Sequence, residues 1–284
     1  MKKPRFEGWY FKHQAGGKSL ALIPGRAADK AFIQIVTDTT AHIVPFPLSQ
    51  YSRKGDVVTI GTNRFSPMGV RLNISTPDVA LTGKITYSTL TPLKSNIMGP
   101  FRFFPMECTH GVVSMGHDIR GKVRLNGVEF HFDGGRGYIE SDSGTSFPSD
   151  YTWVHCNDFS HRNCSIMVAV ARIPFCRTKF WGCITVVHLD GREYRLATYR
   201  GVKILRCTRK SIVLKQGRHE LSITLDESGH SLSLPAPSLG KMSNLIREKL
   251  SCGAHFRFTE GSKILFDGWS SLASHEWEMG GAKG

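Results

Sequence analysis

Short runs of alternating apolar and polar residues recur along almost the whole chain, and Gly, Pro, Asn and Asp punctuate them. Alternation at period two marks strands that turn one face to a core. Residues 18–24, 31–37, 57–61, 70–74 and 79–87 read this way. Asn126-Gly127 separates two such runs, 122–125 and 128–132, and Asp190-Gly191 separates 184–189 from 192–198. Both dipeptides tolerate the left-handed backbone of a two-residue hairpin turn. Further strands are expected at 202–207, 211–215, 220–225, 231–234, 254–259 and 263–267. A single helix is expected over 243–253. Ser243 can cap it, Leu245, Ile246 and Leu250 share one side, Glu248 and Lys249 lie on the polar side, and Gly253 can end it.

Many strands at regular spacing with almost no helix predict an all-β protein, built as a sandwich or as barrels. The 284 residues divide into halves, 1–135 and 136–284, each suited to an antiparallel barrel of about eight strands. The short helix would plug a barrel end or bridge two sheets. Residues 89–108 break the pattern. Pro92, Pro100 and Pro105 interrupt Met98, Phe101, Phe103, Phe104 and Met106, which suits a lid, a packing surface between domains or a loop folded into the core.

Composition narrows the setting. With 40% hydrophobic and 21% charged residues, the chain can build a real core. No stretch approaches the roughly 20 apolar residues of a membrane span, and from the basic, non-apolar start no secretory signal is expected. Seven cysteines, an odd number with no Cys-x-x-Cys, suggest reduced thiols in a cytoplasmic protein. The net charge of +14 has no nucleic-acid recognition motif beside it, so no nucleic-acid partner is expected. Peripheral contact with an anionic membrane suits it better.

Candidate chemistry concentrates in four segments. In the first, Tyr138-Ile139-Glu140-Ser141-Asp142, an extended backbone puts Tyr138, Glu140 and Asp142 on one face. Two acids that close favour keeping one protonated, as general acid chemistry requires; a solvated polar face is the alternative. In the second, Phe6 to Lys12, Glu7 and Trp9 share a face opposite Tyr10 and Lys12. That face suits an apolar ligand site with one polar group, or a first strand whose Trp fills a barrel bottom. In the third, Cys108, His110 and His117 invite a zinc reading. The seven-residue His–His separation fits no common spacing, so no metal is expected and His110 is read as part of a pocket wall. In the fourth, Tyr151, Trp153 and His155 share a strand face that could line a mixed cavity and stabilise a cation. No nucleophile elbow, phosphate loop or dinucleotide fingerprint is present, and no cofactor is expected.

Phe6-Glu7-Gly8-Trp9-Tyr10-Phe11-Lys12, Glu107-Cys108-Thr109-His110-Gly111, the segment from Gly137 to Pro148 and Trp153-Val154-His155-Cys156-Asn157 together resemble the tocopherol cyclase family. The resemblance implies two lipocalin-like barrels, related to those of carotenoid hydratases. It also implies addition of a phenol hydroxyl across a prenyl double bond to close a chromanol ring, without metal or redox cofactor. Carried onto this chain, it points to Glu140 as proton donor, with Asp142 beside it and Glu7 as the other candidate acid. Trp9, Tyr10, Tyr138 and Trp153 would line the site, and His110 or His155 would orient or deprotonate the hydroxyl. Ser143 stands where the family usually has Trp, which is expected to remove an aromatic wall. Without an organelle-targeting extension, the chain looks like a bacterial member. A hydrophobic prenylated or lipid ligand follows from this reading. The other readings are a hydratase that adds water to an isoprenoid alkene, and a lipid carrier without catalysis.

Overall fold

The computed structural model describes residues 5–175, 178–226 and 230–279. It is almost entirely β, as the alternation predicts. The first sheet draws on β1 (Phe6–Ala15), β2 (Lys18–Arg26), β3 (Lys30–Thr37), β4 (Ala41–Pro47), β5 (Tyr51–Lys54), β6 (Val57–Ile60), β7 (Asn63–Ser66), β8 (Gly69–Ser75), β9 (Ala80–Tyr87), β10 (Cys108–Leu125), β11 (Val128–His131) and β12 (Gly135–Gly144). The second draws on β13 (Tyr151–Cys156), β14 (Cys164–Phe175), β15 (Thr178–Leu189), β16 (Arg192–Ala197), β17 (Lys203–Cys207), β18 (Ser211–Gln216), β19 (His219–Leu225), β20 (Leu232–Ser238), β21 (Lys241–Glu260) and β22 (Lys263–Glu278). Their orders are β4-β3-β2-β1-β12-β10-β9-β8-β7-β6-β5 and β16-β15-β14-β13-β22-β21-β19-β18-β17, with β11 on β10 and β20 on β21. The ladders that join β1 to β12, β12 to β10, β13 to β14, β14 to β15 and β21 to β22 are antiparallel.

Each sheet curls around its own core, as in a lipocalin-like barrel. In the first, Trp9 and Phe11 meet Leu22, Ile33, Val58, Ile60, Phe65 and Ile139, side chains from strands far apart in the sheet order. In the second, Val154, Ile166, Val187, Ile212, Ile223 and Phe256 do the same. Both hairpin dipeptides behave as expected. Asn126 and Gly127 have φ of 48° and 86°, Asp190 and Gly191 of 50° and 76°, the paired positive angles of a type I′ turn whose twist matches the strands.

Two expectations are corrected. Residues 243–253 form no helix; they belong to the 20-residue strand β21. Ile246, Glu248, Leu250, Cys252, Ala254, Phe256 and Phe258 are all buried at every second position. Leu245, which would have faced inward on a helix, is 63% exposed. Glu248 and Lys249, read as a solvated side, are buried as well. The domain boundary also moves. Residue 135 opens β12, which pairs with β1 and β10 inside the first sheet. The compact units are residues 1–93, 108–147 and 235–244 on one hand and residues 94–107, 148–234 and 245–284 on the other. The chain thus passes repeatedly between units, and a single cut cannot separate them.

Candidate active site

Three neighbouring strands of the first unit build the site. Strand β12 lies between β1 and β10, and the register sets Tyr10 opposite Glu140, Lys12 opposite Tyr138 and His110 opposite Asp142. Ile139 points into the barrel core, so Tyr138, Glu140 and Asp142 turn to the other face, as the alternation predicts. That face is not open to water: Tyr138 and Glu140 are buried, and so are Tyr10 and Lys12. Gly8 pairs with Asp142, and a methyl group placed on it would meet no heavy atom within 4 Å. There is therefore room beside the acid pair.

Contacts within the cluster are specific. The Tyr138 hydroxyl donates to Glu140 Oε2 at 2.6 Å. His110 bridges the two carboxylates, with Nδ1 3.0 Å from Asp142 Oδ1 and Nε2 3.6 Å from Glu140 Oε2. The Cys108 thiol donates to the same Asp142 oxygen at 3.5 Å. Burial works against charge on the His110 ring, but the Asp142 and Glu140 carboxylates and the Asp142 hydrogen bond outweigh it and raise its pKa to about 9. At neutral pH the ring is an imidazolium between two acids. Burial, then the Glu140 charge and hydrogen bond, then the Asp142 charge push the Tyr138 phenol well above its ordinary value, so it stays a donor.

This changes the electrostatics expected for the acid pair. Glu140 and Asp142 do not simply repel across a shared face; a cation of the chain sits between them. One donor atom each from His110, Glu140 and Asp142 lies within 4.8 Å of the others. One imidazole and two carboxylates could hold a divalent cation, the part the protonated ring plays electrostatically. His117 is not in this group. Irregularities in β10 on both sides of Ser114 turn it elsewhere, with Nδ1 2.9 Å from Ser114 Oγ.

The other expected residues lie apart from this cluster or in the second unit. Trp9 is buried in the barrel core, stacked on Phe11. Glu7 is bound by Arg26 at 3.1 Å and by Arg53, and the Arg53 guanidinium lies over the Trp9 ring. Both of its carboxylate oxygens are thus taken up by guanidinium groups, away from the cluster around Glu140. Trp153 and His155 stack on each other on β13 of the second unit, both buried. Ser143 pairs with Glu7 and Thr109, one residue out of phase with Asp142. A side chain there belongs to the opposite face from Glu140, so the departure at Ser143 takes no wall from the acid cluster.

Sequence reasoning missed Lys12. Read with Tyr10 as the outward side of β1, it is 1% exposed. The signal was the consecutive run Trp9-Tyr10-Phe11, which marks a strand buried on both faces. Glu276 was also missed; it accepts a hydrogen bond from Tyr151 at 2.6 Å, and only strand pairing brings them together. Among the described cysteines all are free thiols, and burial raises Cys183 to about 12 and Cys207 to about 11. No activated nucleophile is found among them.

Comparison with known proteins adds a family. The model of the tocopherol cyclase-like family matches residues 80–281. A rice protein (Oryza sativa subsp. japonica) described as a probable chloroplastic tocopherol cyclase is 23% identical over 120 residues, which is 40% of this chain and 26% of that protein. The chain thus spans about a quarter of that relative's length. Two solved structures share the fold. CghA superposes with a TM-score of 0.58 at 11% identity, covering 97% of this chain and 88% of that one. Kievitone hydratase from Nectria haematococca superposes with a TM-score of 0.55 at 12% identity, covering 98% and 89%.

Proposed function

The chain belongs to the tocopherol cyclase-like family, and on that premise we propose that it is an acid catalyst that adds a hydroxyl group across an isoprenoid double bond. The specific reaction we infer is closure of a prenylated phenol to a chromanol ring. The observation that carries this reading is the bridge of His110 between Glu140 and Asp142, with Tyr138 on Glu140. Protonating an alkene needs a donor that holds its proton out of water until an apolar substrate arrives. The His110–Glu140 pair is already shielded from water and gains little from hydration, so an apolar substrate packed on the face makes the neutral pair the cheaper form. The proton passes from His110 Nε2 to Glu140 Oε2 as their contact tightens, and Glu140 delivers it to the alkene carbon.

Atoms balance without an outside reactant. A C–H bond forms at one alkene carbon and leaves a tertiary cation at the other. The phenol oxygen attacks that cation to form the C–O bond, and its proton returns to Glu140. Asp142 positions His110 through Nδ1, Tyr138 orients the carboxyl group, and Tyr10 is the aromatic neighbour of the cation. The room beside Gly8 and Asp142 supports a place for the ring that closes.

The test is turnover of a prenylated hydroquinone in deuterated water by the full chain. One deuterium should enter the new ring, and Glu140→Gln should lower the rate by about a thousandfold while an apolar fluorescent probe still binds. A Gln variant as active as the parent would remove Glu140 from the chemistry. A product carrying labelled oxygen from water would make the enzyme a hydratase, and an inert protein that still binds the probe would make it a carrier. Activity that survives dialysis against a chelator supports the imidazolium as the cation of the site; activity restored only by a divalent metal would replace it.

A further inference from the structure

A second surface carries chemistry of its own, in the unit that does not hold the acid cluster. Strands β14 and β15 pair from Cys164↔Leu189 out to Phe175↔Thr178. Their flanking strands stop earlier: β13 ends its pairing at Ala171 and β16 at Ile184. The pairs from Arg172↔Trp181 outward therefore form a hairpin arm beyond the sheet. Trp181 on this arm is 46% exposed, and Arg172 and Lys179 are exposed beside it.

The segment 94–107 lies against this arm. Its base is fixed: Arg195 donates to Ser95 Oγ, Ser95 O and Asn96 O, each at 2.9 Å. Tyr199 donates to Ile97 O, and the Lys94 amide donates to Glu193. Ile97 and Met98 are buried, and Gly99 lies so close to the Tyr199 ring that a Cβ would come within 2.6 Å of it. Beyond that anchor Phe101 stacks on Phe180 at 5.9 Å. Phe103 and Phe104 are 76% and 47% exposed, and the Arg102 guanidinium covers the Phe103 ring at 4.5 Å. A well-held base that leaves so much of two aromatic rings exposed at its tip is not how a loop hides apolar surface.

Charge selects the occupant. No Asp or Glu occurs in residues 79–106 or 159–189, which include both the aromatic tip and the arm. Among the described residues the exposed charges of these stretches are basic, Lys94, Arg102, Arg162, Arg172 and Lys179 among them, with Glu107 the exposed acid that ends the segment and Asp150 4.0 Å from Arg172. Aromatic rings flanked by cations match the boundary between headgroups and acyl chains of an anionic bilayer, where rings sit at headgroup depth and basic side chains meet lipid phosphates.

We propose that Phe103 and Phe104, with Arg102, form a docking surface for an anionic lipid bilayer, seated on the arm through Phe101 and Phe180. The surface would hold the protein at the membrane without a spanning segment, and its argument is independent of the chemistry assigned to Glu140.

Cosedimentation of the full chain tests it, with vesicles of phosphatidylcholine alone and with phosphatidylglycerol added. The protein should bind the mixed vesicles much more tightly than the neutral ones, and added salt should weaken the binding. The double variant Phe103→Ser, Phe104→Ser should bind at least about tenfold more weakly with an unchanged melting temperature. Should that variant melt early, Arg102→Glu makes the same test on an exposed side chain alone. Equal binding to both vesicle types, or full binding by the variants, would overturn the proposal. So would a wild-type dimer that the double variant dissolves, since a second copy would then cover these rings.

Discussion

At the residue scale the decisive group is His110. It is one imidazole among twelve; the motif Glu107-Cys108-Thr109-His110-Gly111 marks it, but no neighbour along the chain supplies its partners. What supplies them is the pairing of β10 with β12, which sets it opposite Asp142 and within 3.6 Å of Glu140. With its pKa raised from 6.5 to about 9, the ring is charged through the neutral range and loses its proton only in base. The proposed reaction draws its proton from this ring, so kcat/KM should fall as pH rises through about 9. His110→Ala should be slower by about a hundredfold and should lack that basic limb. The same shift makes a stability statement. A raised His pKa contributes stability that is full below 6.5 and disappears as pH rises through about 9, so the parent should lose more stability over that window than His110→Ala. A pH–rate profile and melting curves across the window check both. Glu7 is the control: its carboxylate is occupied by Arg26 and Arg53, and Glu7→Gln should keep its turnover while losing roughly 1 kcal/mol of stability.

At the scale of the elements, strand pairing produces arrangements that no single strand contains. Arg64 pairs with Arg71, Arg71 with Lys84 and Lys84 with Lys122, so exposed like charges stand in one row across β7, β8, β9 and β10. Like charges directly opposite one another cost several tenths of a kcal/mol per pair. Glu129 meets Lys122 at one end of the row at 3.2 Å. Lys84→Glu should therefore stabilise the protein, by roughly 1 kcal/mol at low salt, and the gain should shrink as salt screens it. Thermal melts of both proteins at low and high salt decide this; a loss of stability would mean the row is held by something other than its own charges. Strand β21 makes the converse point. Its apolar positions satisfy a helical pattern over 243–253 and a strand pattern over the whole length. Pairing with β22 from Glu248 onward and with β20 selects the second, because ladder partners satisfy backbone groups that a short helix would leave open at its ends.

On the scale of the whole molecule, the first unit carries a built-in acid sensitivity. His13 lies between Leu20 O and the Tyr87 hydroxyl, at 3.2 and 2.6 Å, and the Tyr87 ring packs on His117 with centroids 4.5 Å apart. Burial lowers His13 to about 4 and His117 to about 3. Unfolded, both would bind a proton near 6.5, so stability falls as pH drops below 6.5 and goes on falling until the folded pKa values are reached. For His13 the full loss is on the order of 3 kcal/mol. His13→Gln should flatten that part of the acid unfolding curve, as followed by tryptophan fluorescence; an unchanged curve would show that other groups govern it. The sequence alone determined the fold class, both type I′ hairpins, the shared face of Tyr138, Glu140 and Asp142 and the family resemblance. Each of these depends on period-two geometry, turn chemistry or motif order, all of which are local. Tertiary structure decided that residue 135 lies inside a sheet, that 243–253 is strand, that Glu7 is tied to arginines and that His110 stands between the two acids. These depend on which strands become neighbours, and neighbours are chosen by burial over the whole chain, from partners that can be more than a hundred residues away.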